Sequence, residues 1–218
     1  VDTAIRGCFI SNYKRIAVDD RTGSGENLYG YAFIAIDGTG ILVKGGSGLS
    51  ILDNRVTEDR LLPTRENKDQ HRLGSLTEGR YPSKPVELAK GVFERGYVSN
   101  WHQGSAIVVT GPETTSKVIV RGNHIRNAAQ GIDLHCDHTL VESNIVDHGM
   151  MGIKATHGCQ NLIIRGNLLE CIDLWGILLN PGAASHAGRP ATEAEPARAP
   201  NVDAGIIVTH NIITDYGR

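Results

Sequence analysis

The sequence predicts an all-β chain folded as a right-handed, single-stranded parallel β-helix, a solenoid of about 21 to 24 residues per coil interrupted by long loop insertions. Three observations predict it. A Gly-Ile strand start recurs as Gly131-Ile132-Asp133-Leu134, Gly152-Ile153-Lys154-Ala155 and Gly176-Ile177-Leu178-Leu179, spaced 21 and 24 residues apart, with Ala106-Ile107-Val108-Val109 as a weaker earlier copy. A second marker keeps step with the first: Asn123, Asn144 and Asn167 are spaced 21 and 23 residues apart, each with an aliphatic residue two positions on, and Asn211 with Ile213 repeats the pattern. The composition agrees, with 26 Gly and 5% aromatic residues, which favours many tight turns and small aliphatic fillings over bulky packing.

Each unit holds two or three apolar-alternating runs of three to five residues, broken by Gly, Asn, Asp or His. That is strand patterning, and no run in these repeats suits a helix of ten or more. At about 3.3 Å per residue a unit traces roughly 70 Å, enough for three short strands and three bends. One such coil cannot bury its inward face, but stacked coils can, each hydrogen-bonding to the next. A leucine-rich repeat has an overlapping period, yet its L-x-x-L-x-L core is missing.

The repeat pattern is strong over residues 104 to 182, fair at 205 to 217 and traceable at 40 to 57, and Ala4-Ile5-Arg6-Gly7-Cys8-Phe9-Ile10 reads as part of one more coil with Cys8 where Asn usually stands. The chain is thus one domain, residues 1–218, carrying insertions at 11–38, 58–103 and 183–203. The second insertion contains one candidate short helix, Pro85 to Lys90; the third is rich in Ala and Pro and reads as an exposed loop. Strand pattern begins at Val1, and the next Gly-Ile start is due where Arg218 stands, so the chain is expected to be a fragment of a longer solenoid.

Charge excludes some functions. With 22 Lys+Arg against 24 Asp+Glu the chain lacks the basic footprint of a nucleic-acid partner, and no apolar run approaches the roughly 18 residues of a membrane span. Four cysteines without a C-x-x-C spacing read as buried free thiols.

Stacking in register converts spacing into columns. The Gly-Ile strand then places Val108, Asp133, Lys154 and Leu178 in one outward row and Thr110, His135, Thr156 and Asn180 in the next, while Ile107, Ile132, Ile153 and Ile177 face inward with Val109, Leu134, Ala155 and Leu179. Asp133 and Lys154 read equally well as an exposed cross-strand ion pair or as part of a site. Five of nine His fall within residues 124 to 157, although each alone reads as a surface or turn histidine. A zinc or copper cluster from Asp133, His135 and His138 finds no standard ligand spacing to support it. On the following strand Arg121, Glu142 and Arg165 form a row alternating in sign, which reads as a charge ladder, and the Asn residues read as a buried amide ladder.

These motifs, G-I-x-L, then V-x-I-x-x-N, then x-I, resemble the right-handed parallel β-helix superfamily of pectate-lyase-like proteins. The resemblance implies a carbohydrate-active enzyme of secreted or periplasmic type, foremost a polysaccharide lyase cleaving a uronic-acid polymer by β-elimination. A glycoside hydrolase, an epimerase, or a non-catalytic adhesin or tailspike is the alternative. It implies Lys154 or His157 as the base that lifts the C5 proton, His135 as the acid, and Asp133 as the residue that orients Lys154 or holds a cation. Asp133 matches a calcium-binding carboxylate position of that superfamily, with Asp137 the second acidic residue near it in sequence; calcium would ask for more oxygen ligands than these. Asn180, Thr156, Trp175 and Trp101 are the expected substrate contacts, the two indoles as platforms for a sugar ring.

Overall fold

A computed structural model describes residues 3–19, 32–61, 87–89, 92–93, 97–100, 104–181 and 185–216. No helix occurs among them. In chain order the strands are β1 (Thr3–Arg6), β2 (Phe9–Ser11), β3 (Arg15–Asp19), β4 (Ala32–Asp37), β5 (Ile41–Ser47), β6 (Leu49–Leu52) and β7 (Arg55–Thr57). There follow β8 (Glu87–Ala89), β9 (Val92–Phe93), β10 (Tyr97–Asn100), β11 (Ser105–Ser116), β12 (Ile119–Arg121) and β13 (His124–Leu134). The last are β14 (Leu140–Glu142), β15 (Ile145–Thr156), β16 (Ile163–Arg165), β17 (Leu168–Asn180), β18 (Ile207–Thr209) and β19 (Ile212–Thr214).

Two parallel sheets carry the repeats. One runs β1-β6-β12-β14-β16-β18; the other runs β5-β11-β13-β15-β17-β19, with β2 and β7 joining at β13. Residues one repeat apart are bonded neighbours, as in the column Ile41, Ile107, Ile132, Ile153 and Ile177. Between the same two repeats the Asn marker is spaced 23 residues and the Gly-Ile start 24, and that one-residue difference has a local cause. Gly149 pairs with Ile172 but Met151 pairs with Trp175, so β17 carries one extra residue at a bulge.

Three corners recur in step. Gly7, Asp53, Gly122, Ser143, Gly166 and His210 each follow a strand of the first sheet and all have positive φ. Asn127, His148, Cys171 and Asp215 form a second such set, one residue past the in-register trio of β13, β15, β17 and β19. Gly48, Lys117, His138, Asn161 and Gly205 form the third. A left-handed residue reverses the chain sharply, so a corner at the same place in every repeat keeps the following strands in register. Close approach explains the Gly of the Gly-Ile marker: a Cβ at Gly131 would sit 2.5 Å from the Gly152 carbonyl oxygen, and one at Gly152 would sit 2.4 Å from that of Gly176.

The core lies between the sheets. Ile51, Val120, Val141 and Ile164 come from the first; Val56, Ile125, Val146, Leu169, Ile107, Ile132 and Ile153 come from the second, all fully buried. Burying each aliphatic side chain contributes about 2 kcal/mol. The asparagine ladder is present and complete over five repeats. Asn123 Oδ1 accepts from both the backbone N and the Nδ2 of Asn54, Asn144 does the same for Asn123, Asn167 for Asn144 and Asn211 for Asn167. Below Asn54, the Cys8 amide donates to its Oδ1 at 2.9 Å.

Several expectations need correction. Residues 87–89, expected within a helix, form β8 paired antiparallel with β9; six residues are too few to sustain a helix without packing. The first insertion carries β3 and β4, which with β10 make a three-stranded sheet, and β2 extends into its expected range. Leu179, expected inside, is exposed, because among the described residues its column has a neighbour on one side only, Ala155. Cys136 and Cys159 are buried free thiols as expected, but Cys8 is exposed and Cys171 half-buried. Residues 185–203 form an exposed excursion held by the bridges His186 to Asn201 and Arg189 to Arg198. Trp101 and residues 62–86 lie outside the described residues.

Candidate functional site

Register brings Val108, Asp133, Lys154 and Leu178 into one column and sets Thr156 beside Asn180 in the next. Lys154 Nζ lies 3.3 Å from Asp133 Oδ1 and 3.4 Å from Gln130 Oε1. His135 reaches the same carboxylate from the neighbouring column, its Nε2 3.0 Å from Asp133 Oδ1, although that approach is off the line of an aligned hydrogen bond. Its other ring nitrogen, Nδ1, is 3.2 Å from Thr110 Oγ1. The His157 ring stands edge-on to that of His135, centroids 4.7 Å apart and planes at 80°.

This is no exposed surface pair. The Asp133 side chain keeps 10% of its accessible surface, Lys154 18% and His135 16%. Burial pushes the Asp133 carboxyl up, but His135 and Lys154 together outweigh burial and hold it below the ordinary carboxylate range. His157 is shifted down, first by burial and then by its electrostatic interaction with His135 and Lys154, so its imidazole is neutral at pH 7. Separate from the main core, Ala129, Met150 and Met151 pack with Leu61, Leu174 and Leu178, and Leu178 is the strand neighbour of Lys154.

A cleft of about 290 Å³ is lined by Gly111, Pro112, Glu113, Thr114, Arg198 and Asn201, with none of Asp133, Lys154, His135 or His157 in its lining. Asn201 Nδ2 donates to the His157 carbonyl at 3.2 Å, and Thr110, the partner of His135, precedes Gly111 in the chain. Glu113 accepts from His186 and from Arg198, and these two partners hold its carboxyl below the usual range.

Of the expected substrate contacts, Asn180 is exposed, Trp175 is half-exposed beside Met151, and Thr156 is buried with no protein partner for its Oγ1 among the described residues. The acidic pair suggested for calcium does not gather. Asp133 is engaged with Lys154 and His135, whereas Asp137 Oδ1 accepts from the His138 amide and from Asn161 Nδ2 at the third corner. Neither belongs to a grouping of three donor ligands among the described residues. The histidine-rich stretch likewise disperses: His138 pairs with Asp137 and His148 with Asp147, each its own chain neighbour.

Sequence reasoning missed Gln130 and a second polar group entirely. Lys14 is buried, with Nζ donating to the Leu61 and Asn127 carbonyls while its amide donates to buried Glu58. Burial, opposed by Glu58, lowers Lys14 to about 7. Lys14 and Glu58 lie at insertion boundaries, where no period exists to align them. No family model, curated protein or solved structure matches this chain.

Proposed function

We propose that the repeats close into a right-handed parallel β-helix and that the chain cleaves a uronic-acid polysaccharide by β-elimination, in a secreted or periplasmic setting. The observation that carries this reading is the group in which Lys154, His135 and His157, each partly buried, gather around buried Asp133. β-Elimination needs a cation to neutralise the uronate carboxylate, which acidifies the C5 proton, and a base to take it. His157 is the base, because it is neutral at pH 7 and is less tightly enclosed than its partners. Lys154, held by Asp133, is the cation. As C5–H transfers its proton to His157, the electron pair forms the C4–C5 double bond and the C4–O bond breaks; the imidazolium so formed is the acid at hand for the leaving oxygen. His135, occupied by Thr110 and Asp133, positions the group and gives up the acid role expected for it from sequence.

A glycosidase fits less well, since hydrolysis uses two carboxylates across the bond. Only Asp133 belongs to this group, and Asp203, the other acidic residue acting on His157, has Oδ1 tied to the Gly158 and Cys159 amides.

The test is incubation with alginate, pectate or a glycosaminoglycan, following the ultraviolet absorbance of unsaturated uronide. The intact chain is expected to release it, His157→Ala to lose at least about a hundredfold of the rate, and the rate to persist on the acid side of about pH 6.5 because His157 is shifted down. Retention on the polymer without product would instead mark a binding module.

A further inference from the structure

The second corner carries chemistry that the proposed elimination does not use. Its left-handed positions are filled on successive repeats by Asn127, His148, Cys171 and Asp215. The side-chain donor atoms of Asp147, His148 and Cys171 lie within 4.8 Å of one another, and so do those of Glu170, Cys171 and Asp215. Register explains the meeting, because Asp147 pairs directly with Glu170, which in turn pairs with Thr214, so the residues that follow them are stacked too.

We propose that this corner binds one divalent cation of the zinc class through Cys171, His148 and Asp147, with Glu170 and Asp215 on the far side of Cys171 supplying further negative charge. The donor set is the argument. One thiolate, one imidazole and one carboxylate match a borderline-soft, four-coordinate ion, whereas calcium and magnesium take oxygen ligands. Bonds of about 2.0 to 2.3 Å in a tetrahedron separate ligand atoms by roughly 3.3 to 3.8 Å, so donors already within 4.8 Å close around an ion by rotamer adjustment alone. A thiolate and a carboxylate together neutralise a dication. Asp147 also divides its labour: Oδ2 faces Arg126 Nε at 3.6 Å, while Oδ1 is in close contact with His148 Nδ1, a contact that the cation would replace. All three ligands are reachable from solvent, His148 being half-exposed and Asp147 and Cys171 partly buried.

The experiment titrates the intact metal-free chain with Co²⁺ and then with Zn²⁺. Expected are a thiolate-to-cobalt charge-transfer band, its loss on adding zinc, and affinity more than about tenfold weaker in Cys171→Ser and in His148→Ala, with Cys8→Ser unchanged. Where a variant does not keep the far-ultraviolet circular dichroism of the parent, alkylation of the unaltered chain decides: zinc protects Cys171 while exposed Cys8 reacts at the same rate with and without metal. Absence of the thiolate band, equal alkylation of Cys171 with and without zinc, or full affinity retained in His148→Ala would overturn the assignment.

Discussion

The asparagine ladder and the Asp133 column are built on the same stack and differ in one respect. In the ladder, Asn54, Asn123, Asn144, Asn167 and Asn211 repeat one residue type and one bonding pattern, every amide answering the repeat below. In the Asp133 column, Leu42, Val108, Asp133, Lys154 and Leu178 share a register, and a charged pair interrupts an otherwise aliphatic row. Where the residue repeats, the position serves the architecture. Where it departs from its column in a buried setting, it has partners that the repeat itself does not supply: Asp133 meets His135 and Lys154 meets Gln130.

The comparison can be broken by mutation. The largest stability effect is expected from Lys154→Ala, which leaves Asp133 buried beside His135 alone. About 3 kcal/mol is expected, near the low end for breaking a buried pair because Lys154 keeps some solvent contact. The double variant Asp133→Asn with Lys154→Met should recover most of that loss in urea denaturation, whereas a column with a purely local role would show additive losses. Asn144→Ala follows at about 2 kcal/mol, since it strands the Asn123 amide and the Val120 carbonyl in the core. Asn211→Ala should cost less than half as much, because Asn211 is only part-buried at the end of the described ladder. Equal costs at the two positions would argue against a cooperative stack.

Protonation sharpens the contrast between periodic and aperiodic sites. Lys14 is lowered to about 7, so between that pH and its unfolded value near 10.4 the unfolded chain binds more protons than the folded one, and stability rises with pH across that window by at most about 1.4 kcal/mol per unit. Lys14→Met should flatten this rise. Asp133 works at the other end: its carboxyl is depressed, so its contribution is present above about pH 3.9 and is lost as pH falls through its lower folded value. The smallest effect belongs to the exposed ladder, where Arg165 bonds Glu142 at 2.7 and 2.9 Å; Arg165→Ala is expected to cost under about 1 kcal/mol and to lose even that in high salt.

The legible part of this chain is the part that repeats. The Gly-Ile starts fixed which residues pair, and with that the adjacency of Asp133 and Lys154 and the sign-alternating row of Arg121, Glu142 and Arg165. Less legible is how far a side chain leans across columns. His135 turning to Asp133 and the gathering of Asp147, His148 and Cys171 depend on corner geometry, which sequence marks with a Gly in some repeats and hides behind Ser143, Cys171 or His210 in others. Lys14 and Glu58 were invisible because an insertion breaks the period just where they meet.

The register itself is open to a direct measurement. In a Cys8→Ser background, Arg121→Cys combined with Glu142→Cys puts thiols on in-register neighbours about 4.8 Å apart, within the Cα range a disulfide accepts; Arg121→Cys combined with Arg165→Cys puts them about twice as far, outside it. Mild oxidation is expected to link the first pair in nearly every molecule and to leave the second pair free. Linkage of the 121–165 pair, or failure of the 121–142 pair, would contradict the parallel stack and remove the basis for the site.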